Sequence, residues 1–154
     1  MSFRQACVRL NCAGVWFYRA WNRIRTARYA LYAAMEMVGS RDRPVTVSQV
    51  AERYGISEGA LAKAFQQLVR SGLALGTRGI GGGYRLAREP SEITVLDVIE
   101  VFDPPRREGH CLLTDGSAGD CSLLPDCRLR RLFDEVDEVA RCTLASVSLE
   151  TLVR

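Results

Sequence analysis

The sequence predicts a mainly α fold that carries one small β-hairpin and ends in a long helix. Three observations lead there. Apolar residues recur at helical spacing through 23–39, 47–69 and 128–146. Around 73–86 the pattern changes to alternation, split by a cluster of glycines, as in a hairpin. Between the hairpin and the last long helix lies a loop, 103–127, rich in Gly, Ser, Asp and Pro, which holds three of the six cysteines.

A chain of 154 residues is enough for one domain, or one small domain with a dimerising arm. With 47% hydrophobic and 25% charged residues it has the composition of a globular protein. No run of about 18 apolar residues is present, so no membrane span is expected. No uninterrupted apolar stretch before a small-residue cleavage site marks residues 1–22 as a secretory signal. The net charge of +3 hides an asymmetry. Residues 1–88 carry fourteen Lys/Arg against four Asp/Glu, whereas residues 89–154 carry seven against fourteen. The first part is suited to a polyanion and the second is not, so nucleic acid is the expected partner; the plain alternative is charge that decorates two surfaces. Six cysteines without an export signal point to thiols in a reducing compartment, and so to metal or redox chemistry rather than a disulfide framework.

Residues 1–22 match no pattern and are left as an unassigned N-terminal extension, either an ordered extra helix or an extension produced by a start codon placed too early. Residues 23–39 read as a helix, with Ala27, Ala30, Leu31, Ala34, Met35 and Val38 at helical spacing and Gly39 as its stop. Arg23, Arg25 and Arg28 crowd its start, against the helix dipole. Phosphate binding would account for that placement, as would a solvated face. Arg43-Pro44 then breaks the helical run. Val47, Val50, Ala51 and Tyr54 make a short amphipathic helix, and Gly55-Ile56 turns the chain. Ser57 is the expected N-cap of a second helix, with Glu58 in its first turn and Leu61, Phe65, Leu68 and Val69 as its buried face.

Two short helices joined by a tight glycine turn form a helix-turn-helix, whose second helix enters the major groove. The outward face of that helix carries Gly59, Lys63, Gln66 and Arg70. Lys63 and Gln66 are donors of suitable length for base edges, and Gly59 permits close approach. In the following SGLALGTRGIGGGYRLAR, Leu73 and Leu75 precede the turn and Tyr84 and Leu86 follow it. A basic hairpin after a helix-turn-helix is a wing. Its tip holds Arg78 among Gly76, Gly79, Gly81, Gly82 and Gly83, which allow the backbone to approach a phosphate or slide into the minor groove. A nucleotide cradle is the competing reading, but the glycines neither open a helix in a G-x-G-x-x-G pattern nor form a Walker loop.

Thr94 and Asp97 resemble a capping box at the start of TVLDVIEVF, which Asp103-Pro104-Pro105 ends. The long helix from Arg128 to about Ser146 has an apolar stripe of Leu129, Leu132, Phe133, Val136, Val139 and Ala140, with Asp134, Glu135, Asp137 and Glu138 facing water. Such a stripe needs cover, from helix 23–39 or from the same helix of a second subunit. Ser148 caps a last helical turn. The predicted fold class is therefore mainly α: a winged helix-turn-helix DNA-binding domain over 23–102 with a two-stranded wing, a cysteine-rich loop over 103–127, and a C-terminal dimerisation helix and tail over 128–154.

The cysteine loop reads C-x9-C-x5-C, from Cys111 through Cys121 to Cys127. It has too little apolar surface to order itself, and thiolates are the usual ligands of iron–sulfur clusters. Structural zinc, with an oxygen or histidine as fourth ligand, and a reversible disulfide remain open on the same residues. Cys142 falls somewhat off the apolar stripe and reads as a structural thiol; Cys7 and Cys12 lie in the unassigned extension. No nucleophile–base pair, paired-carboxylate pocket or nucleotide fingerprint appears, so no enzyme is expected.

RYALYAAMEMV, VSQVAERYGISEGALAKAFQQLVRSGLALGTRGIGGGYRLAR, ITVLDVIEVFD, CRLRRLFDEV and SLETLV together resemble the Rrf (type two) family of bacterial winged-helix regulators. The resemblance runs from about Arg23 to the C-terminus, and RGIGGGYRLAR is its most specific part. It implies a homodimeric, cytoplasmic transcriptional regulator, chiefly a repressor, that binds double-stranded operator DNA. It further implies a [4Fe-4S] or [2Fe-2S] cluster on Cys111, Cys121 and Cys127 that senses nitric oxide, iron or redox state, and a wing arginine, Arg78, that reaches the minor groove. DNA contacts are accordingly expected from Ser57, Gly59, Ala60, Lys63, Gln66, Arg70, Arg78, Gly79, Gly81 and Arg28.

The sequence departs from the family at several points. The gap before Cys121 is longer, and Ala60 stands where many relatives carry Tyr. Arg130 and Arg28 occupy the two positions from which relatives supply a fourth ligand, and neither can ligate. The fourth ligand is therefore unknown, with His110, Asp115, Asp120, Asp126, Glu36, water or a small thiol as candidates.

Overall fold

Residues 25–40, 43–104 and 127–154 are described by the computed structural model. The first helix, α1, spans Arg25–Gly39. Its buried face is made of small residues, Ala27, Ala30, Ala33 and Ala34, followed by Met37 and Val38. Small side chains let a neighbouring helix approach closely, and α1 packs most extensively on the helix Glu58–Arg70, here α3. Leu31 and Met35, expected in the core, are only half-buried, because the covered arc is centred on Ala30, Ala33 and Met37.

Helix α2, Val47–Tyr54, opens on a capping box that the sequence reading did not anticipate. The Thr46 hydroxyl accepts the Gln49 N–H at 3.3 Å, and Gln49 Oε1 accepts the Thr46 N–H at 2.9 Å. Gly55 ends the helix in the left-handed region (φ 63°), so the chain can turn directly into α3. Ser57 occupies the N-cap position of α3, as expected, but its hydroxyl makes no capping bond; its carbonyl accepts the N–H groups of Ala60 and Leu61, each at 3.1 Å. The buried face of α3 is Leu61, Ala64, Phe65 and Leu68. Val69, predicted to be buried, is 37% exposed; one residue on from Leu68, it points about 100° away from the covered stripe. A Schellman motif closes α3, with Leu73 N–H on Leu68 O at 3.0 Å and Gly72 N–H on Val69 O at 3.1 Å.

The motif also sets the register of the hairpin. Strand β1 begins at Ala74, after the cap, and pairs antiparallel with β2, so that β1 (Ala74–Thr77) opposes β2 (Gly83–Leu86) with Ala74 facing Leu86 and Gly76 facing Tyr84. Leu73 is buried before the strand starts, whereas Leu75 lies on the outer face and is 55% exposed, so the two leucines do not share a face as the alternation had suggested. The wing is tied down twice. The Phe65 and Tyr84 rings pack with centroids 4.4 Å apart, and the backbone of Val45 pairs with Tyr84 through bonds of 2.9 and 2.8 Å. At Gly83 a Cβ would lie 2.8 Å from Val45 O, so this close approach requires glycine.

A 3₁₀ turn, Pro90–Glu92, leads into α4, Val95–Glu100. The predicted Thr94–Asp97 capping box is present, with both bonds made at 3.1 and 2.8 Å. The long helix α5 runs Arg128–Ala145 and leans on α4 through packing and an Arg141–Glu100 ion pair. Its Leu129, Leu132, Val136 and Val139 are exposed, so α1 does not cover the stripe. After α5 the chain returns to the winged domain. Val147 O accepts the Val95 N–H at 2.9 Å and Leu149 donates to Ile93 O at 2.8 Å. Helix α6, Leu149–Val153, is capped by Ser148 as expected and packs on α1, with Leu149 fully buried.

Candidate nucleic-acid interface and cysteine site

Helix α3 presents a polar face opposite its buried stripe. Ser57, Gly59, Lys63, Gln66 and Arg70 are all exposed, and Ala60 is half-buried at the edge of the core. Lys63, Gln66 and Arg70 follow one another at three- and four-residue spacing, so they share one side of the helix. At Gly59 a Cβ would meet nothing within 4 Å, so the space above it is open to a partner. Arg78, Gly79 and Gly81 are exposed at the wing tip. Because Tyr84 rests on Phe65, the wing is held against the same helix that carries Lys63 and Gln66.

Arg28 differs from the other predicted contacts. It lies on α1, half-buried, and its Nε is buried without a hydrogen-bond partner among the described residues. Conversely, Arg85 was not singled out from the sequence. It is exposed on the outer face of β2, opposite Leu75, and adds a second cation to the wing. The signal for it was present: with Tyr84 and Leu86 inward, residue 85 must point outward.

Of the three predicted cluster ligands, only Cys127 lies within the described residues; Cys111, Cys121, His110, Asp115, Asp120 and Asp126 lie outside them. Cys127 holds the N-cap position of α5, half-buried, and its thiol makes no capping bond. Cys111 and Cys121 precede it closely in the sequence, and three thiols are in kind the ligands that iron–sulfur centres use. Among the described residues no group of three or more His, Cys, Asp or Glu converges on a metal position. Cys142 is exposed and its Sγ donates to Glu138 Oε1 at 3.5 Å. It sits about 22 Å along α5 from Cys127, too far to share a centre with it.

Glu36 is removed from the ligand candidates. Its Oε1 accepts the Tyr54 hydroxyl at 2.7 Å and its Oε2 pairs with Arg53 Nη1 at 3.0 Å, with the side chain only 16% exposed. Both oxygens therefore serve to hold α1 to α2. Burial, then the hydrogen bond and charge of Glu36, push the Tyr54 hydroxyl above its ordinary range, which keeps it a donor. Tyr32 stacks on Tyr54 at 4.5 Å and completes the joint.

Comparison with known proteins places this architecture. A family profile for Rrf2, described as an iron-dependent transcriptional regulator, matches residues 24–154. BadM of Rhodopseudomonas palustris is 36% identical over 80% of this chain and 76% of its own length. IscR of Photorhabdus laumondii, an HTH-type transcriptional regulator, is 35% identical over 82% of this chain and 75% of its own. Among solved structures, IscR of T. potens superposes with a TM-score of 0.65 at 27% identity, covering 84% of this chain and 83% of that one. CymR, the global cysteine regulator of B. subtilis, superposes with a TM-score of 0.61 at 28% identity, covering 84% and 93%.

Proposed function

The chain belongs to the Rrf2 family of winged-helix transcriptional regulators, and we propose on that premise that it is a dimeric repressor whose operator binding is controlled by an iron–sulfur cluster. It is a DNA-binding regulator and not an enzyme. The DNA half of this reading is supported by exposed Lys63, Gln66 and Arg70 on one side of α3 and by exposed Arg78 and Arg85 on the wing, which packs on α3 through Tyr84 and Phe65. Lys63 and Gln66 read base edges in the major groove, and the arginines position the wing on the neighbouring backbone and minor groove. The exposed stripe of α5 supports a two-fold partner, which would set two reading helices about 34 Å apart or a multiple of that. No helix among the described residues is long and apolar enough to cross a membrane. A regulator of this family would meet operator DNA in the bacterial cytoplasm.

The sensing half rests on Cys111, Cys121 and Cys127, which lie between the winged domain and α5. When bound there, a cluster supplies a cross-link that nitric oxide, oxygen or iron loss can remove. Cys127 is the N-cap of α5, so a tie on this thiol bears directly on how α5 leaves the winged domain. Loss of the tie changes how α5 leaves the winged domain and lowers operator affinity.

The test is iron and acid-labile sulfide per chain on protein purified without oxygen, beside operator binding of holo and apo forms at one salt concentration. About four of each per chain corresponds to a [4Fe-4S] centre, and about two to [2Fe-2S]. Equal operator affinity of the two forms refutes the coupling. A second reading, a zinc-dependent or thiol–disulfide repressor, has its support in the similarity to CymR and in thiols suited to either chemistry. Protein without iron or sulfide after reconstitution would establish it in place of the first.

A further inference from the structure

Ile80 stands at the extreme tip of the wing and is 111% exposed, whereas the next most exposed large apolar side chain among the described residues, Val139, is at 65%. Its position is built rather than incidental. Gly79 (φ 99°) and Gly81 (φ 78°) flank it, both in conformations that L-residues rarely adopt. The Gly82 N–H closes the tip on Gly79 O at 3.0 Å, and a Cβ on Gly82 would sit 2.3 Å from Thr77 O. The turn is therefore fixed, and it carries the one residue between its left-handed glycines away from the protein. Nothing in the free chain benefits: a β-branched residue is poorly suited to a turn, and an exposed isoleucine gains no burial.

The surroundings say what kind of surface it meets. Arg78 is two residues away and Arg85 projects from the same wing, so the tip is directed at a polyanion. Phosphates offer an isoleucine nothing. The apolar surface within reach of a wing beside a major-groove helix is the deoxyribose wall of the adjacent minor groove, about 6 Å wide. Both walls come into contact with one side chain only where the groove is narrow, as in A·T-rich tracts. We infer that Ile80 is a second reading residue of the wing, seated between the sugar walls of the minor groove while Arg78 meets its negative potential. This rests on the reading of α3 and the wing as one DNA interface.

The signature of such a contact is affinity without salt dependence. A duplex selected by the wild-type protein from a random library serves as probe, with binding to anaerobically purified protein followed by fluorescence anisotropy across salt concentrations. Ile80→Ser is expected to bind about ten-fold more weakly at every salt, with the slope of log Kd against log salt unchanged, because no counterion is involved. Ile80→Val, which keeps an apolar branched side chain, is expected within about three-fold of wild type. Arg78→Ala is expected to weaken binding and reduce the slope by about one. Wild-type affinity for Ile80→Ser, with Arg78→Ala still impaired, overturns the inference, and so does a loss that changes the slope. Unchanged binding in Ile80→Ser, Arg78→Ala and Lys63→Ala together would instead overturn the interface itself.

Discussion

Replacing Phe65 with Leu tests whether the wing is positioned through α3. Phe65 is fully buried and its ring lies 4.4 Å from that of Tyr84, centroid to centroid, tilted by 31°. Leucine keeps most of the apolar volume, so the cavity contribution is only about 0.5 kcal/mol at ~24 cal/mol per Å³. Loss of the aromatic pair adds about 0.5–1.5 kcal/mol. The expected destabilisation is thus about 1–2 kcal/mol, seen in urea as a lower midpoint with an unchanged slope. Val45 still pairs with Tyr84, so the hairpin survives but its lean on α3 is relaxed. A double-mutant cycle with Arg78→Ala then reads the consequence for DNA. If the ring pair positions the wing, Arg78→Ala costs less affinity in the Phe65→Leu background, with a coupling of at least about 0.5 kcal/mol. Equal losses in both backgrounds, measured by anisotropy at one salt concentration, would refute the reasoning that this contact positions the wing.

Three other expectations follow from particular residues. Lys63→Ala should cost about 1–3 kcal/mol of operator affinity if its ammonium reads a guanine, with the loss concentrated on one base pair of the site in a substitution scan. Tyr54→Phe should cost about 1–2 kcal/mol near neutral pH through loss of the hydrogen bond to Glu36. The folded-state pKa of Tyr54 lies above the unfolded value of 10.0, so this stabilisation is fully present below pH 10 and is lost as pH rises through the folded value. The stability gap between wild type and Tyr54→Phe should therefore narrow on alkaline titration, whereas a constant gap would contradict the assignment. Val136→Asp places a charge in the exposed stripe of α5 and should shift sedimentation from dimer to monomer while leaving the circular dichroism of the winged domain intact.

Much of the architecture is legible in the sequence because it is written in local terms. Helical periodicity, the Thr94–Asp97 box, the Ser148 cap and the glycine cluster each depend on a few neighbouring residues, and each forms where expected. The exposed positions of Lys63, Gln66, Arg70 and Arg78 follow from the same periodicities. The Thr46–Gln49 box and outward Arg85 are equally legible, through T-x-x-Q and through alternation.

What the sequence could not supply is how far each covered face extends and what covers it. Val69 and Leu75 are apolar yet exposed: Val69 lies about 100° round α3 from buried Leu68, and the strand that follows the Schellman cap puts Leu75 on its outer face. Glu36 is a free carboxylate in the sequence and a doubly bonded joint in the fold, since its partners lie 17 and 18 residues away. Leu149 reads as part of a terminal turn but completes the core of the winged domain, held by a backbone bond to Ile93 that crosses 56 residues. Local propensity sets which residues are helical or extended, because it acts over one or two turns of backbone. Burial and partnership are set by residues far apart in the chain, and only their meeting in three dimensions decides which polar atoms are spent on structure and which stay exposed for function.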